Sequence, residues 1–163
     1  MINLLSKIWR HLGKTIQWKI LWFAHSKFNV GVSLIIPNTE GKVLLGKHVF
    51  SAEKNPWRLI GGFVSKGENI FDGAKREVME ELHIQIEPAR ILVIRTGFAH
   101  RVEFSIVTKP IGANTAFKID PKELHEVAWF EPGSEPDNTL PYHKHILELY
   151  KNNPAEHIEI VNL

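Results

Sequence analysis

One short stretch, "GGFVSKGENIFDGAKREVMEELHI" from Gly61 to Ile84, constrains the fold of this chain more than any other. Its two glycines predict a loop, and the helical spacing of the apolar residues that follow predicts a helix ending near Leu82. Asn69 is a suitable N-cap for that helix, and Asp72 stands three residues later, in the position of a capping-box acid. The predicted core-facing stripe consists of Ile70, Phe71, Ala74, Val78 and Leu82.

The same helix concentrates negative charge. Glu77, Glu80 and Glu81 are spaced to crowd one edge, where each pair of like charges costs roughly 0.2 to 0.5 kcal/mol. A bound divalent cation would reverse the sign of that interaction, and in a chain without cysteine, clustered carboxylates favour Mg²⁺ or Mn²⁺ over zinc. Taken alone, such a segment is more often a solvated charged face. Gly73 weakens the helix by up to ~1 kcal/mol, so we expect another backbone to approach it.

The spacing of the whole stretch decides between these alternatives. From Gly62 the chain reads Gly, five residues, Glu68, seven residues, and then "REVMEELHI". This closely resembles the Nudix box, G-x5-E-x7-R-E-U-x-E-E-x-G-U, where U is an aliphatic residue. His83 replaces the final glycine, at a helix end where a left-handed backbone is usual. We expect this departure to weaken the turn and to leave the carboxylates in place.

The resemblance implies an α+β fold, a Nudix-type α/β/α sandwich with a mixed sheet. It also implies a hydrolase that uses Mg²⁺ or Mn²⁺ and attacks phosphorus with water. Its substrate would be a nucleoside diphosphate linked to another group, such as an NDP-sugar or ADP-ribose, or a nucleoside triphosphate. Two alternatives stay open: a catalytically weak Nudix-like module that binds and senses a nucleotide, and an RNA 5′-end pyrophosphohydrolase.

The resemblance also assigns roles to individual residues. It implies metal ligands at the box glutamates and at a glycine carbonyl, for which we take Gly62 with Glu77, Glu80 and Glu81. Arg76 would hold the carboxylates by ion pairing, and Glu68 would bridge the loop to the helix. A general base often comes from a loop outside the box in this family. Glu123 is our first choice for it, ahead of Glu126.

Substrate contacts are harder to assign from the sequence. Phe50, Trp57 and Phe98 are candidates for stacking on a nucleobase, and each could equally be a packing residue. Arg58 and Arg101 are candidates for binding phosphate. His143 and His145 do not share a helical face, so we do not expect them to bind a metal together.

The remaining chain predicts further strands and a last helix. We predict a hairpin of "FNVGVSLII" and "KVLLGKH", then strands at "RILVIRT", "HRVEFSIVTK" and "EVAWF". Pro141 suits the first turn of a final helix. The tail "HIEIVNL" is either an edge strand or disordered. The predicted organisation is a helical extension at 1–27, a Nudix domain at 28–151 and a tail at 152–163.

Residues 1–27 are basic and aromatic. They carry five Lys or Arg and no acid, whereas the net charge of the whole chain is only +2. Leu5, Ile8, Leu12 and Ile16 predict an amphipathic helix, which Gly13 splits. We expect it to pack on the sheet or on a second subunit of a homodimer, ahead of an anionic membrane surface. We do not expect nucleic acid as a partner. No apolar run is long enough to span a bilayer, no signal peptide is evident, and we expect a cytoplasmic protein.

Overall fold

The computed structural model describes residues 2–50, 54–98, 100–152 and 159–162. Two helices come first, followed by three strands, a helix, three more strands, a last helix and a final strand. In chain order they are α1 (Ile2–His11), α2 (Lys14–Ala24), β1 (Asn29–Ile35), β2 (Val43–His48), β3 (Trp57–Arg58), α3 (Ile70–Leu82), β4 (Pro88–Phe98), β5 (Arg101–Thr108), β6 (Leu124–Phe130), α4 (Pro141–Asn152) and β7 (Glu159–Asn162).

The strands form two sheets. The first is mixed, with the order β1-β5-β4-β7, in which β4 and β5 are antiparallel and the outer pairs are parallel. The second is antiparallel, with the order β3-β2-β6. The tail segment whose state the sequence left open is therefore an edge strand, paired with β4.

Two hydrophobic cores lie on opposite faces of the central strands. Along β1 and β2, alternate side chains point into different cores, because successive residues of a strand face opposite sides. Val32, Leu34 and Leu44 pack with α3, whereas Ile35 and Leu45 pack with α4. Strands buried on both faces read as continuous apolar runs, as these do. The predicted α/β/α sandwich is confirmed.

The predicted hairpin of β1 and β2 is wrong. Among the described residues, β1 and β2 belong to different sheets, and an isolated bridge between Pro37, just beyond β1, and Val43 marks the point where the chain crosses from one sheet to the other. The side chain of Asn38 stabilises the crossing by accepting hydrogen bonds from the N–H groups of Glu40 and Lys42, each at 2.9 Å. β1 instead uses one edge for the parallel strand β5 and the other for residues 60–64.

Helix α3 begins and ends as predicted. Asn69 Oδ1 accepts hydrogen bonds from the N–H groups of Phe71 and Asp72, both at 3.0 Å, and the Asn69 amide also donates to the Asp72 carboxylate. One member of the predicted stripe is wrong, because the side chain of Phe71 is exposed. The prediction that another backbone approaches Gly73 is also wrong. A β-carbon there would lie 3.2 Å from both the Glu68 carboxylate and the Val64 side chain.

The N-terminal helices differ from our expectation of packing on the sheet. The split falls at Gly13, as predicted, but α2 has no buried residue. Ile8 and Ile16 on the predicted apolar face are about half exposed, and the side chain of Leu5 lies outside the described part. In the described ranges, neither helix makes an extensive contact with a sheet or with α3.

Candidate active site

The candidate site is built on the glycine loop that precedes α3. Residues 60–64 run along β1, where Val32 N–H donates to the Gly62 carbonyl at 2.9 Å and Leu34 N–H donates to the Ile60 carbonyl at 2.8 Å. Gly61 has φ of 148°, and a β-carbon there would lie 2.1 Å from the carbonyl oxygen of Val32. A side chain is therefore excluded at Gly61, because the obstacle is backbone that cannot move aside.

Two carboxylates of α3 press against this loop. A β-carbon on Gly62 would lie 2.3 Å from Oε2 of Glu77, so the absence of a side chain makes room for that carboxylate. One turn further, Glu81 is buried, and its Oε1 accepts a hydrogen bond from Gly61 N–H at 3.3 Å. The two glycines thus seat Glu77 and Glu81 side by side.

Arg76 links the acids of the box. Its guanidinium donates to both oxygens of Glu68, at 3.0 and 3.1 Å, and to Glu77 and Glu80, at 2.9 and 3.0 Å. A fifth hydrogen bond, to the Phe63 carbonyl at 2.8 Å, ties it to the glycine loop. The hydrogen bond from Arg76 lowers the pKa of Glu68 and so keeps it ionised. Arg76 occupies the bridging position that the resemblance implies.

The chemistry of these groups fits a divalent cation. Within the described residues, no three His, Asp or Glu side chains form a ready-made metal cluster, but Glu81 Oε2 is buried without a hydrogen-bond partner. Burial, reinforced by the charge of Glu77, raises the pKa of Glu81 to about 8. A buried, partnerless carboxylate oxygen beside a second carboxylate is a suitable donor set for a hard cation.

The two glycine carbonyls that the resemblance allows as a further ligand lie in different surroundings. Gly62 O accepts the Val32 N–H in the pairing with β1, which leaves its second lone pair available. Gly61 N–H donates to Glu81, and among the described residues no backbone N–H donates to Gly61 O. Either carbonyl could therefore serve, and that of Gly61 is the freer of the two.

The two candidates for the general base lie in different surroundings. Glu123 is exposed on the loop before β6, and its charge contributes to the raised pKa of Glu81, which places it near the carboxylate pair. Glu126 lies within β6, opposite Lys47 of β2, and does not contribute to that shift. Glu123 stays our first choice for the general base.

A cleft of about 350 Å³ adjoins the glycine loop and is strongly basic. Three arginines line it: Arg58 from β3, Arg95 from β4 and Arg101 from β5. Arg101 lies over the ring of Phe63, 4.6 Å from its centroid, and Arg95 lies 3.9 Å from the centroid of Tyr142. Guanidinium groups held flat in this way are suited to bidentate contacts with phosphate.

A buried acid balances part of this charge. Glu103 lies 3.4 Å from Arg101 and 3.8 Å from Nε2 of His143. Burial by itself would raise the pKa of Glu103, but the contacts with His143, Arg101 and Arg95 hold it below its ordinary value. His143 Nδ1 accepts the N–H of Leu59 at 2.9 Å, so the neutral ring carries its proton on Nε2, facing Glu103. The cleft therefore keeps an excess of positive charge.

The predicted stacking residues do not form a group. Trp57 is only 9% exposed and packs edge-to-face on Phe130, with ring centroids 5.2 Å apart, so its assignment to the substrate is wrong. Phe50 is 82% exposed and lies outside the lining of the cleft. The side chain of Phe98 lies outside the described part of the chain. Among the described candidates, Arg58 and Arg101 reach the cleft.

Sequence reasoning missed several residues of the cleft. For Glu103 a signal was present: it alternates with Arg101, already a candidate for binding phosphate, in a strand that is otherwise largely apolar, which places both on one face. Arg95 is the register partner of Glu103 across the sheet. For His143 no local signal existed, because α4 brings it to Leu59, 84 residues away.

His83, which replaces the final glycine of the box, still ends α3 in the expected left-handed conformation. His83 has φ of 55° and ψ of 36°, the left-handed conformation that usually requires glycine. His is among the residues that enter this region more readily than most. Its Nδ1 lies 2.9 Å from the carbonyl of Lys118, so the ring gains a hydrogen bond that glycine could not make.

Comparisons with known proteins agree with this geometry. The family model of the NUDIX domain matches residues 27–150. Nudix hydrolase 8 of Arabidopsis thaliana is 34% identical over 83 residues, which are 50% of this chain and 22% of that protein. NAD-capped RNA hydrolase NudC of Pectobacterium carotovorum is 32% identical over 90 residues, 55% of this chain and 34% of that protein. The chain thus matches about a third or less of the length of these relatives.

A solved structure supports the same assignment over a larger share of the chain. The NUDIX hydrolase from Nitrosomonas europaea is 26% identical, with a TM-score of 0.68, and the match covers 85% of this chain and 81% of that one. The family model, the relatives and the glycine loop with its paired carboxylates agree, and the chain therefore belongs to the Nudix domain family.

Proposed function

We propose that this chain is a metal-dependent pyrophosphohydrolase that acts on a nucleoside diphosphate linked to another group, or on a nucleoside triphosphate. The observation that carries the proposal is the seating of Glu77 and Glu81 against Gly61 and Gly62. Nothing in the packing of a solvated helix face requires one buried and one partly buried carboxylate against a glycine pair, because such groups are normally left in water.

The metal in this proposal is Mg²⁺ or Mn²⁺. Glu77, Glu81 and the Gly61 carbonyl would hold it, with Glu80 joining directly or through water. When bound, the cation would neutralise the diphosphate and lower the pKa of a water molecule. Arg76 keeps Glu77 and Glu80 in position, and its bidentate contact with Glu68 fixes the helix relative to the loop.

The arginine-lined cleft supports an anionic substrate. Arg58, Arg95 and Arg101 would bind phosphate oxygens beyond the metal site, while Glu103 fixes the direction of the Arg101 guanidinium. A substrate diphosphate supplies the negative charge that the single buried acid leaves uncompensated. This arrangement favours substrates with at least two adjacent phosphates over phosphate monoesters.

Hydrolysis of a substrate panel tests the proposal. NDP-sugars, ADP-ribose, dinucleotides and nucleoside triphosphates are incubated with Mg²⁺, Mn²⁺ or EDTA, and product formation is followed by chromatography. We expect turnover of at least one member, dependent on metal. Glu81→Gln is expected to reduce kcat by about 100-fold or more, because even residues that only orient metal ligands contribute about 10- to 100-fold.

A matched variant shows whether the loss of activity is specific to Glu81. Glu87→Gln removes one exposed carboxylate that pairs with Lys109 on the surface, far along the chain from the glycine loop. It is expected to keep the activity of the unchanged protein. Absence of turnover across the panel, or equal turnover by the Glu81→Gln protein, would refute the proposal.

The general base is tested separately. Glu123→Gln removes the carboxylate near Glu81, and Glu126→Gln removes its exposed neighbour in β6. If Glu123 accepts the proton of the attacking water, its loss should reduce kcat by about 100-fold or more and remove the acidic limb of the pH–rate profile. Equal effects of the two substitutions would assign the base elsewhere.

The alternatives are distinguished by the same panel. A nucleotide-sensing module would bind members of the panel in calorimetry without turning any over. The relative from Pectobacterium carotovorum is named an NAD-capped RNA hydrolase, so NAD-capped and triphosphorylated RNA are included beside the free nucleotides. Faster turnover of RNA than of the matching nucleotide would favour the RNA alternative.

A further inference from the structure

The N-terminal helices present an unusual surface. Here α1, α2 and the residues up to Phe28 are called the N-terminal arm. Its exposed large apolar side chains are Ile8, Ile16, Trp18, Ile20, Trp22, Phe23 and Phe28. Trp18 is 71% exposed and Phe23 is 76% exposed. Contiguous exposed apolar side chains of this size mark a surface that contacts another molecule or a membrane.

The two helices are joined into one unit rather than being independent segments. Gln17 Nε2 in α2 donates to the Trp9 carbonyl at 2.7 Å and to the Leu12 carbonyl at 3.0 Å. The Gly13 carbonyl accepts from the N–H groups of Ile16 and Gln17 and so begins α2 directly at the turn. The exposed side chains are therefore held on a structured arm, separate from the two cores of the domain.

The charge of the arm has one sign. Its formally charged side chains are Lys7, Arg10, Lys14, Lys19 and Lys27, and the first acid of the chain is Glu40. In the described part of the chain, none of these bases forms an ion pair with a carboxylate. Lys27 instead lies 4.4 Å from the centroid of the Trp22 ring. The arm thus combines uncompensated positive charge with exposed aromatic rings.

A second copy of the chain fits this surface poorly. A two-fold interface brings the same patch of both copies together, so five positive charges would face the same five. A transmembrane position does not fit either, since no helix in the described ranges is long and apolar enough to cross a bilayer. An anionic lipid surface accommodates both features: headgroups pair with the bases, and the rings enter the interface.

We propose that the N-terminal arm binds the surface of an anionic membrane, with both helices lying in the plane of the headgroups. Lys14 and Lys19 pair with lipid phosphates at the level where Trp18 and Trp22 are inserted. In the described ranges neither α1 nor α2 makes an extensive contact with a sheet or with α3, and only Phe28, at the end of the arm, lines a cleft with Phe63 and Val64 of the glycine loop. The proposal does not depend on the proposed activity.

Co-sedimentation of the full chain with vesicles tests the proposal. The two compositions are phosphatidylcholine alone and phosphatidylcholine mixed with phosphatidylglycerol, each at low and high salt. We expect binding to the anionic vesicles only, weakened by salt because the charges act within a short screening length. Absence of binding to anionic vesicles at low salt would overturn the proposal.

Two variants separate the contributions of charge and of apolar surface. Lys14→Glu with Lys19→Glu is expected to reduce the partition coefficient by about tenfold or more. Its control is Lys66→Glu with Lys118→Glu, the same change of charge at exposed positions of the domain, which should stay within about twofold of the unchanged protein. Trp18→Ala with Phe23→Ala should abolish binding even at low salt. Equal binding by all of these proteins would also overturn the proposal.

Two further measurements test whether a second copy of the chain or RNA, instead of a membrane, binds to the N-terminal arm. Sedimentation equilibrium without lipid reports a dimer, and filter binding with a single-stranded RNA oligonucleotide reports nucleic acid. A lipid-free dimer that Trp18→Ala with Phe23→Ala dissociates, or RNA binding that survives competition by anionic vesicles, would replace the membrane as the partner. Monomeric protein that prefers vesicles to RNA is the expected result.

Discussion

At the scale of single residues, the two adjacent glycines of the loop have different tasks. Gly61 is required by the backbone, since a β-carbon there would collide with the Val32 carbonyl. Gly62 is required by a side chain, since a β-carbon there would collide with the Glu77 carboxylate, the end of a flexible group. Substitution by alanine should therefore lower the stability of the protein at Gly61 and its activity at Gly62.

Gly62→Ala is expected to lower activity without unfolding the protein. The added methyl group displaces the Glu77 carboxylate, so kcat on the best substrate should fall by about 100-fold. The free energy of unfolding in urea should change by about 1 kcal/mol or less, because only the end of a side chain moves. Gly61→Ala should instead lower the stability by about 3 kcal/mol or more.

Gly112→Ala serves as the control for both substitutions. A β-carbon there makes only an ordinary contact, 3.5 Å from the Thr115 hydroxyl. Activity and stability should both be kept. A stable and fully active Gly62→Ala protein would contradict the proposed seating of Glu77.

At the scale of elements, helix α3 carries most of what could be predicted from the sequence. Its N-cap, its end and its acids follow from residues close together in the chain, where spacing reports geometry directly. The cleft could not be predicted in the same way. Arg101 reaches it through the parallel pairing of β1 with β5, and His143 reaches it from α4. Such long-range pairings leave no periodic signal, which is also why the hairpin prediction failed.

The end of α3 offers a test of how His83 compensates for the missing glycine. His83→Ala keeps the left-handed backbone but loses the hydrogen bond to Lys118, so it should destabilise the protein by about 1 kcal/mol. His83→Gly loses the same bond but relieves about 1 kcal/mol of backbone strain, so its stability should stay close to that of the unchanged protein.

Urea unfolding measures both proteins, and Gln85→Ala, an exposed position just beyond the helix, is the control. His83→Ala is expected to be less stable than the unchanged protein, His83→Gly and Gln85→Ala. An alanine protein at least as stable as the unchanged protein would show that the Lys118 contact contributes nothing.

At the scale of the whole molecule, stability should depend on a partly buried histidine. Burial, together with the positive charge of Arg58 and the proximity of His143, lowers the pKa of His48 to about 4. In the unfolded chain the value returns to about 6.5, so between these values the unfolded state binds more protons. The contribution is present above pH 6.5 and is lost as the pH falls toward 4.

His48→Gln should therefore flatten the acid limb of the stability curve. Between pH 7 and pH 4.5 the unchanged protein should lose roughly 2 kcal/mol more than this variant, measured by urea unfolding in EDTA. His125→Gln removes an exposed histidine from β6 and should follow the unchanged protein. Parallel curves for all three proteins would show that His48 does not cause this loss of stability at low pH.

The attachment of α4 to Leu59 has a consequence for synthesis of the protein. The glycine loop, the acids of α3 and all three cleft arginines are encoded before residue 102, but His143 completes the cleft and Ile146 and Leu147 complete the second core. A chain still held on the ribosome near Thr139 would carry every group proposed to hold metal while one face of its central strands stays open to water. Closure of the second core, and of the cleft with it, therefore waits until the last helix has left the exit tunnel.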